Sequence, residues 1–144
     1  MIEEPNETQP ISTGVDLDEV YASERNSVLV IEDEPDTVLL LKHILRSSGF
    51  NVMGALSGSE ALKKIAEIKP DLIMLDLMMP DMDGWETFRY LRQMTETPVI
   101  VISAVGNKED IVKALKMGAD DYITKPFFNA EVVARAQAVL RRYG

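Results

Sequence analysis

Four places in the chain carry side chains suited to phosphoryl chemistry, and each follows a short apolar run. Glu32, Asp33 and Glu34 follow residues 28–31, Asp76 follows 72–75, Ser103 follows 98–102 and Lys125 follows 122–124. Carboxylates brought together repel and raise each other's pKa unless a cation intervenes. A hard divalent cation resolves that repulsion: Mg²⁺ takes oxygen ligands, keeps several waters and uses one or two carboxylates plus a phosphate oxygen. Lys125 adds a mobile positive charge, and Ser103 adds a hydroxyl. Such a set could neutralise the equatorial oxygens of a phosphoryl group while an oxygen nucleophile attacks in line. Asp76 is the natural nucleophile, because a carboxylate forms an acyl phosphate without prior deprotonation.

Taken singly, each residue has a plainer reading. An acid at a strand end more often caps the next helix, Ser103 suits a turn, Lys125 suits a solvated surface, and Tyr122 suits strand packing. The chemistry depends on one scaffold bringing them together, so the elements between them decide the matter.

Five apolar runs, at 28–31, 50–55, 72–75, 98–102 and 122–124, are each too short for a typical helix, and most are rich in Val and Ile. Helical stripes separate them. Val38, Leu41, Ile44 and Leu45 form the first; Ala61, Leu62, Ile65 and Ala66 the second; Trp85, Phe88 and Leu91 the third. Ile111, Val112, Leu115 and Met117 form the fourth, and Val132, Val133, Ala136, Val139 and Leu140 the fifth. Gly49, Lys69-Pro70 and Gly118 supply stops. Strand–helix repeated five times predicts a parallel sheet covered on both faces, an α/β fold built as a three-layer α/β/α sandwich. The order 2-1-3-4-5 is the common solution, and 3-2-1-4-5 stays open on periodicity alone. Ligands bind such sheets beyond the carboxyl ends of the strands, at the point where the order reverses. With strands one and three adjacent, Asp33 and Asp76 share one rim. The second strand is followed by no such residue, which suits an edge.

The 144 residues suit one domain, and 46% apolar content supplies a core. No run approaches the ~20 apolar residues of a membrane span. The start Met1-Ile2-Glu3-Glu4-Pro5 lacks the basic and apolar regions of a secretory signal, so a cytoplasmic location is expected. The absence of cysteine excludes disulfides and thiolate metal sites. A net charge of −9 disfavours binding to a nucleic-acid backbone by this chain alone. Seven acids and one base in residues 1–26 account for −6 of that charge. This segment is expected to be an acidic, mostly flexible tail ahead of a domain at 27–144. Leu17, Val20 and Tyr21, at i, i+3 and i+4 behind a candidate N-cap at Asp16, could form one short helix there and dock on the domain.

The segments 28–34 (VLVIEDE), 71–84 (DLIMLDLMMPDMDG), 99–104 (VIVISA) and 118–127 (GADDYITKPF) also resemble the receiver domain of response regulators, over about residues 27–142. The resemblance implies the 2-1-3-4-5 order. It implies that Asp76 is the phosphoacceptor and that Asp33 ligates Mg²⁺ directly, with Glu32 acting largely through water and the Met78 backbone carbonyl as a further ligand. It implies that Ser103 follows the phosphoryl group, that Lys125 contacts it ahead of a cis Lys125-Pro126 peptide, and that Tyr122 is the aromatic switch residue. The donor would be a histidine kinase or phosphotransfer protein. Partner affinity would change through the face made by the fourth helix, fifth strand and fifth helix. Family members that precede a winged-helix domain dimerise through charges on this face. Asp120, Asp121, Glu131, Arg135 and Arg142 match that pattern, whereas Ile111 stands where a basic partner of Glu131 is expected. The expectation is a monomer or weak homodimer that tightens on phosphorylation. The side chains flanking the path of attacking water would be Met78 and Val105.

Other classes fit less well. An aspartate-nucleophile phosphohydrolase would carry a second acid two residues after the nucleophile to protonate the leaving group, and Met78 stands there. A GTPase would carry a G-x-x-x-x-G-K-[ST] loop, but the first strand leads into acids. A pure scaffold would leave the whole polar set without a purpose. The expected chain is thus not an enzyme acting on a free substrate; it catalyses only its own phosphorylation and dephosphorylation. It could stand alone or form the N-terminal part of a transcriptional regulator.

Overall fold

The computed structural model describes residues 26–80 and 83–143. The proposed acidic tail and its short helix lie outside the described residues, apart from Asn26. Strands β1 (Ser27–Ile31), β2 (Asn51–Ala55), β3 (Leu72–Leu75), β4 (Val99–Ser103) and β5 (Asp121–Thr124) alternate with five helices. These are α1 (Pro35–Arg46), α2 (Gly58–Ile68), α3 (Gly84–Met94), α4 (Lys108–Lys116) and α5 (Asn129–Tyr143). All neighbouring strands pair in parallel, in the order β2-β1-β3-β4-β5. The register Val28↔Leu72 places β1 beside β3 and closes the alternative that periodicity left open.

Strand geometry explains why the apolar runs are unbroken. Successive side chains point to opposite faces, and both faces here are cores. Val28, Val30, Leu72, Met74, Ile100 and Ile102 pack with the stripes of α1 and α5. Leu29, Ile31, Ile73, Leu75, Val99 and Val101 pack with α2, α3 and α4. Full burial of such a side chain contributes about 1.5–3 kcal/mol relative to exposure. A polar residue at any of these strand positions would therefore damage one core or the other.

Local signals set the helix ends. Ser57, Asp83 and Asn107 accept hydrogen bonds from the backbone N–H groups of Glu60, Glu86 and Asp110, capping α2, α3 and α4. Pro35 opens α1, where its missing N–H costs nothing. Beyond α1 and α4 the chain turns at Gly49 and Gly118, whose φ values of +93° and +107° suit glycine.

Two stripes depart from the sequence pattern: Ala66 of the second is exposed, and the fourth departs further. Ile111, Val112, Leu115 and Met117 were the expected core face of α4, but its buried residue is Ala114. Val112 and Leu115 are 48% and 46% exposed. The short helix α4 covers the β5 edge of the sheet, where the small Ala114 permits close approach and only a narrow strip of helix meets the core.

Candidate functional site

The carboxyl ends of β1 and β3 deliver the acids. The Asp76 N–H bonds the Ile31 carbonyl at 3.0 Å, and the Glu32 N–H bonds the Ala55 carbonyl at 3.0 Å. Backbone pairing thus carries both residues just past the sheet. Glu32 is fully buried, Asp76 is 4% exposed and Asp33 is half-buried. One carboxylate oxygen from each of the three lies within 4.8 Å of the others.

Lys125 reaches this cluster from β5. Its Nζ donates to Asp76 Oδ2 at 2.9 Å and to Glu32 Oε1. The other oxygens are also engaged: the Met78 N–H donates to Asp76 Oδ1 at 2.9 Å, and the Glu34 N–H donates to Glu32 Oε2 at 3.1 Å. The Lys125 N–H bonds the Ser103 carbonyl at 2.9 Å, joining the exits of β4 and β5. The Lys125-Pro126 peptide is cis, as the resemblance implies.

The fully buried Ser103 accepts a bond from the Val105 N–H at 3.3 Å. Tyr122 is half-buried against the α2–α3–α4 core, and its hydroxyl donates to the Val105 carbonyl. The two expected switch residues therefore hold the backbone of the same residue of the β4–α4 loop, one at its N–H and the other at its carbonyl. That convergence on Val105 was not visible in the sequence, because it depends on where the loop turns back. Gly84 was missed as well. A Cβ there would lie 2.2 Å from Leu77 Cα and 2.4 Å from the Asp76 carbonyl oxygen, so α3 can start this close to the Asp76 exit only without a side chain. The Asp83-Gly84 pair, a cap followed by the smallest residue, was the available signal.

Electrostatics follow from the packing. Burial pushes the Glu32 carboxyl up to about 7, the Lys125 and Glu34 hydrogen bonds pull the other way, and the nearby Asp76 charge adds to the rise. Burial pulls the Lys125 ammonium down, but its bonds to Glu32 and Asp76 and their charges outweigh this and leave it raised. Burial also raises the Tyr122 hydroxyl, helped by the Asp110 and Asp76 carboxylates.

One ammonium thus serves a cluster of three carboxyl groups and bonds two of them. That excess of hard oxygen donors, with a desolvated Glu32 beneath it, suits a divalent cation. Half-buried Asp33 and the 57% exposed Met78 leave the cluster open toward solvent. No described helix is long and apolar enough to cross a membrane.

Comparison with known proteins agrees with this geometry. Residues 28–137 match the family model of the response regulator receiver domain. The transcriptional regulatory protein PrrA of Mycobacterium leprae is 48% identical over 118 residues, covering 81% of this chain and 51% of that protein. The alkaline phosphatase synthesis transcriptional regulatory protein PhoP of Bacillus subtilis is 47% identical over 116 residues, covering 80% and 48%. This chain therefore spans about half the length of the curated relatives it matches. A Francisella response regulator receiver domain superposes with a TM-score of 0.79 at 36% identity, covering 83% of this chain and 99% of that one. The BeF3-activated receiver domain of Klebsiella pneumoniae RstA gives 0.77 at 33% identity, covering 81% and 99%.

Proposed function

The chain belongs to the response regulator receiver domain family, and we propose that its Asp76 accepts a phosphoryl group from the phosphohistidine of a histidine kinase or phosphotransfer protein. One observation carries this reading: the nearly buried Asp76 carboxylate is held between the Lys125 ammonium and the Met78 N–H, beside Glu32 and Asp33. A carboxylate oxygen of Asp76 attacks phosphorus, the P–N bond of the donor breaks, and the imidazole departs with the electron pair. Lys125 already sits against this carboxylate and can follow charge onto the phosphoryl oxygens. Glu32, Asp33, Asp76 and the Met78 carbonyl would hold Mg²⁺, which supplies charge neutralisation when bound.

The readout is a population shift. A phosphoryl group on Asp76 competes for the Ser103 hydroxyl, which now serves the Val105 N–H. Tyr122 grips the carbonyl of the same residue, so movement of this loop passes to α4 and β5. The face made by α4, β5 and α5 then changes its affinity for partners, in the setting of a transcriptional regulator like the relatives above. The chain catalyses its own phosphorylation and dephosphorylation and turns over no free substrate.

The test is intact-mass analysis after incubation with acetyl phosphate and Mg²⁺. One phosphoryl group should appear on the native chain, and none on Asp76→Asn or in EDTA. Modification that survives either change refutes the assignment.

A further inference from the structure

A groove between α1 and α5 is lined by none of the residues of the carboxylate rim and by no residue of α4 or β5. Two adjoining hollows of about 610 and 410 Å³ form it, sharing Ser48 and Gln137. The lower hollow includes Asn26, the first described residue, and the upper one reaches Asn129 at the start of α5. The walls are apolar at depth: Ile44 and Phe50 are buried, and Val133 and Leu140 are half-buried against the same core. His43 and Arg141 stand exposed at the edges. None of the described residues lining the groove is acidic, in a chain with 24 acids against 15 bases.

The segment joined to Asn26 has the complementary character. Leu17, Val20 and Tyr21 recur at helical spacing behind Asp16, and Asp18, Glu19 and Glu24 flank them. We propose that residues 16–25 dock in the α1–α5 groove, with Leu17, Val20 and Tyr21 on its apolar floor and the acids toward Arg141 and His43. Lengths agree. From Arg141 to Asn129, α5 rises about 18 Å at about 1.5 Å per residue, and ten helical residues span about 15 Å. Attachment at the lower end of the groove gives the segment a high effective concentration there, so weak contacts suffice to hold it. Arg141 adds charge complementarity, which orients the acids more than it adds affinity. The groove along α4, with Lys108, Lys113 and Lys116, also attracts acids, but its lining does not include the residue from which the segment emerges.

Because the chain has no cysteine, Ser12→Cys carries a single nitroxide label on the full chain. Amide resonances are compared with the label oxidised and reduced. Docking predicts selective broadening of Ser47, Val133, Ala134 and Gln137, and loss of at least half of that broadening in the Leu17→Asp/Val20→Asp double variant and in Arg141→Glu. Broadening centred on Val112, Lys113 and Lys116, or confined to the neighbours of Asn26, overturns the proposal. So does groove broadening that persists unchanged in both variants. A mixture of labelled chain with isotope-labelled, nitroxide-free chain checks for a second copy; equal groove broadening in the mixture also overturns it.

Discussion

The Lys125 ammonium lies 2.9 Å from Asp76 Oδ2 and at the same time bonds Glu32, so one cation joins the expected phosphoacceptor to its deepest acidic neighbour. Both Glu32 oxygens are thereby engaged, one by Lys125 and the other by the Glu34 N–H. Asp33 stands half-buried at the mouth of the cluster.

This division of labour sets the order of metal affinities. Asp33→Ala should weaken Mg²⁺ binding about tenfold more than Glu32→Ala, a difference of about 1.4 kcal/mol. Calorimetric titration of the two variants decides it. Equal losses, or a larger loss for Glu32→Ala, would remove Asp33 as the direct ligand.

The buried Glu32 also gives the metal-free protein a pH signature. Its carboxyl titrates at about 7 in the fold against an ordinary 4.5, chiefly because burial disfavours the charge. The folded chain therefore binds this proton more tightly than the unfolded chain, and the carboxyl withdraws stability as pH rises between those values. In EDTA, Glu32→Gln should gain on the native chain as pH rises from 4.5 to 7, by about 3 kcal/mol as an upper bound, and the gap should close as pH falls back through this window. Urea midpoints measured against pH give the difference; a gap that shrinks as pH rises contradicts it.

Phospho-Asp76 should decay slowly. Water must be held in line with the Asp76–phosphorus bond, and positioning supplies much of such a rate. Met78 is 57% exposed and offers no side-chain donor to that water. Val105, the other flanking residue, is fixed by Ser103 and Tyr122 and offers none either. Met78→Asn should speed decay on the order of tenfold, about 1.4 kcal/mol in the barrier. Decay of the phosphorylated chain in Mg²⁺ is the measurement, and equal rates would end the shielding role of Met78.

Self-association should be weak without modification. Arg135 bonds Asp121 at 3.1 Å and Glu131 at 3.1 Å within its own chain, and Arg142 bonds the Asp120 carbonyl at 3.3 Å. These charges already have partners, and exposed pairs contribute only ~0.2–1 kcal/mol each. Half-buried Ile111 adds no charge to the face. Sedimentation at high concentration should show a monomer or weak dimer whose association tightens with beryllofluoride and Mg²⁺. An unchanged mass distribution would count against a phosphorylation-dependent dimer.

The sheet was legible because burial on two faces forces unbroken apolar runs, whereas the adjacency of β1 and β3, with Val28 opposite Leu72, was left open by periodicity and is fixed by the pairing itself. The polar residues of the site were legible because each directly follows such a run. Their mutual engagement was less so. Nothing in the spacing shows that Lys125 bonds Glu32 as well as Asp76, that Glu32 is fully buried, or that Ser103 and Tyr122 converge on Val105. Those facts depend on loop paths, which periodicity does not encode. The α4 stripe misled for a related reason: a helix over a sheet edge needs only Ala114 inside, so its larger apolar side chains can face outward.

Trp85, the chain's single tryptophan, stands one residue inside α3, with the Lys113 Nζ of α4 only 4.1 Å from the centre of its ring. An indole's emission responds to a nearby charge and to its exposure to water. The protein thus carries a built-in optical gauge of the spacing between two helices. If beryllofluoride displaces α4, the titration should read that displacement as a change of light, with no label attached.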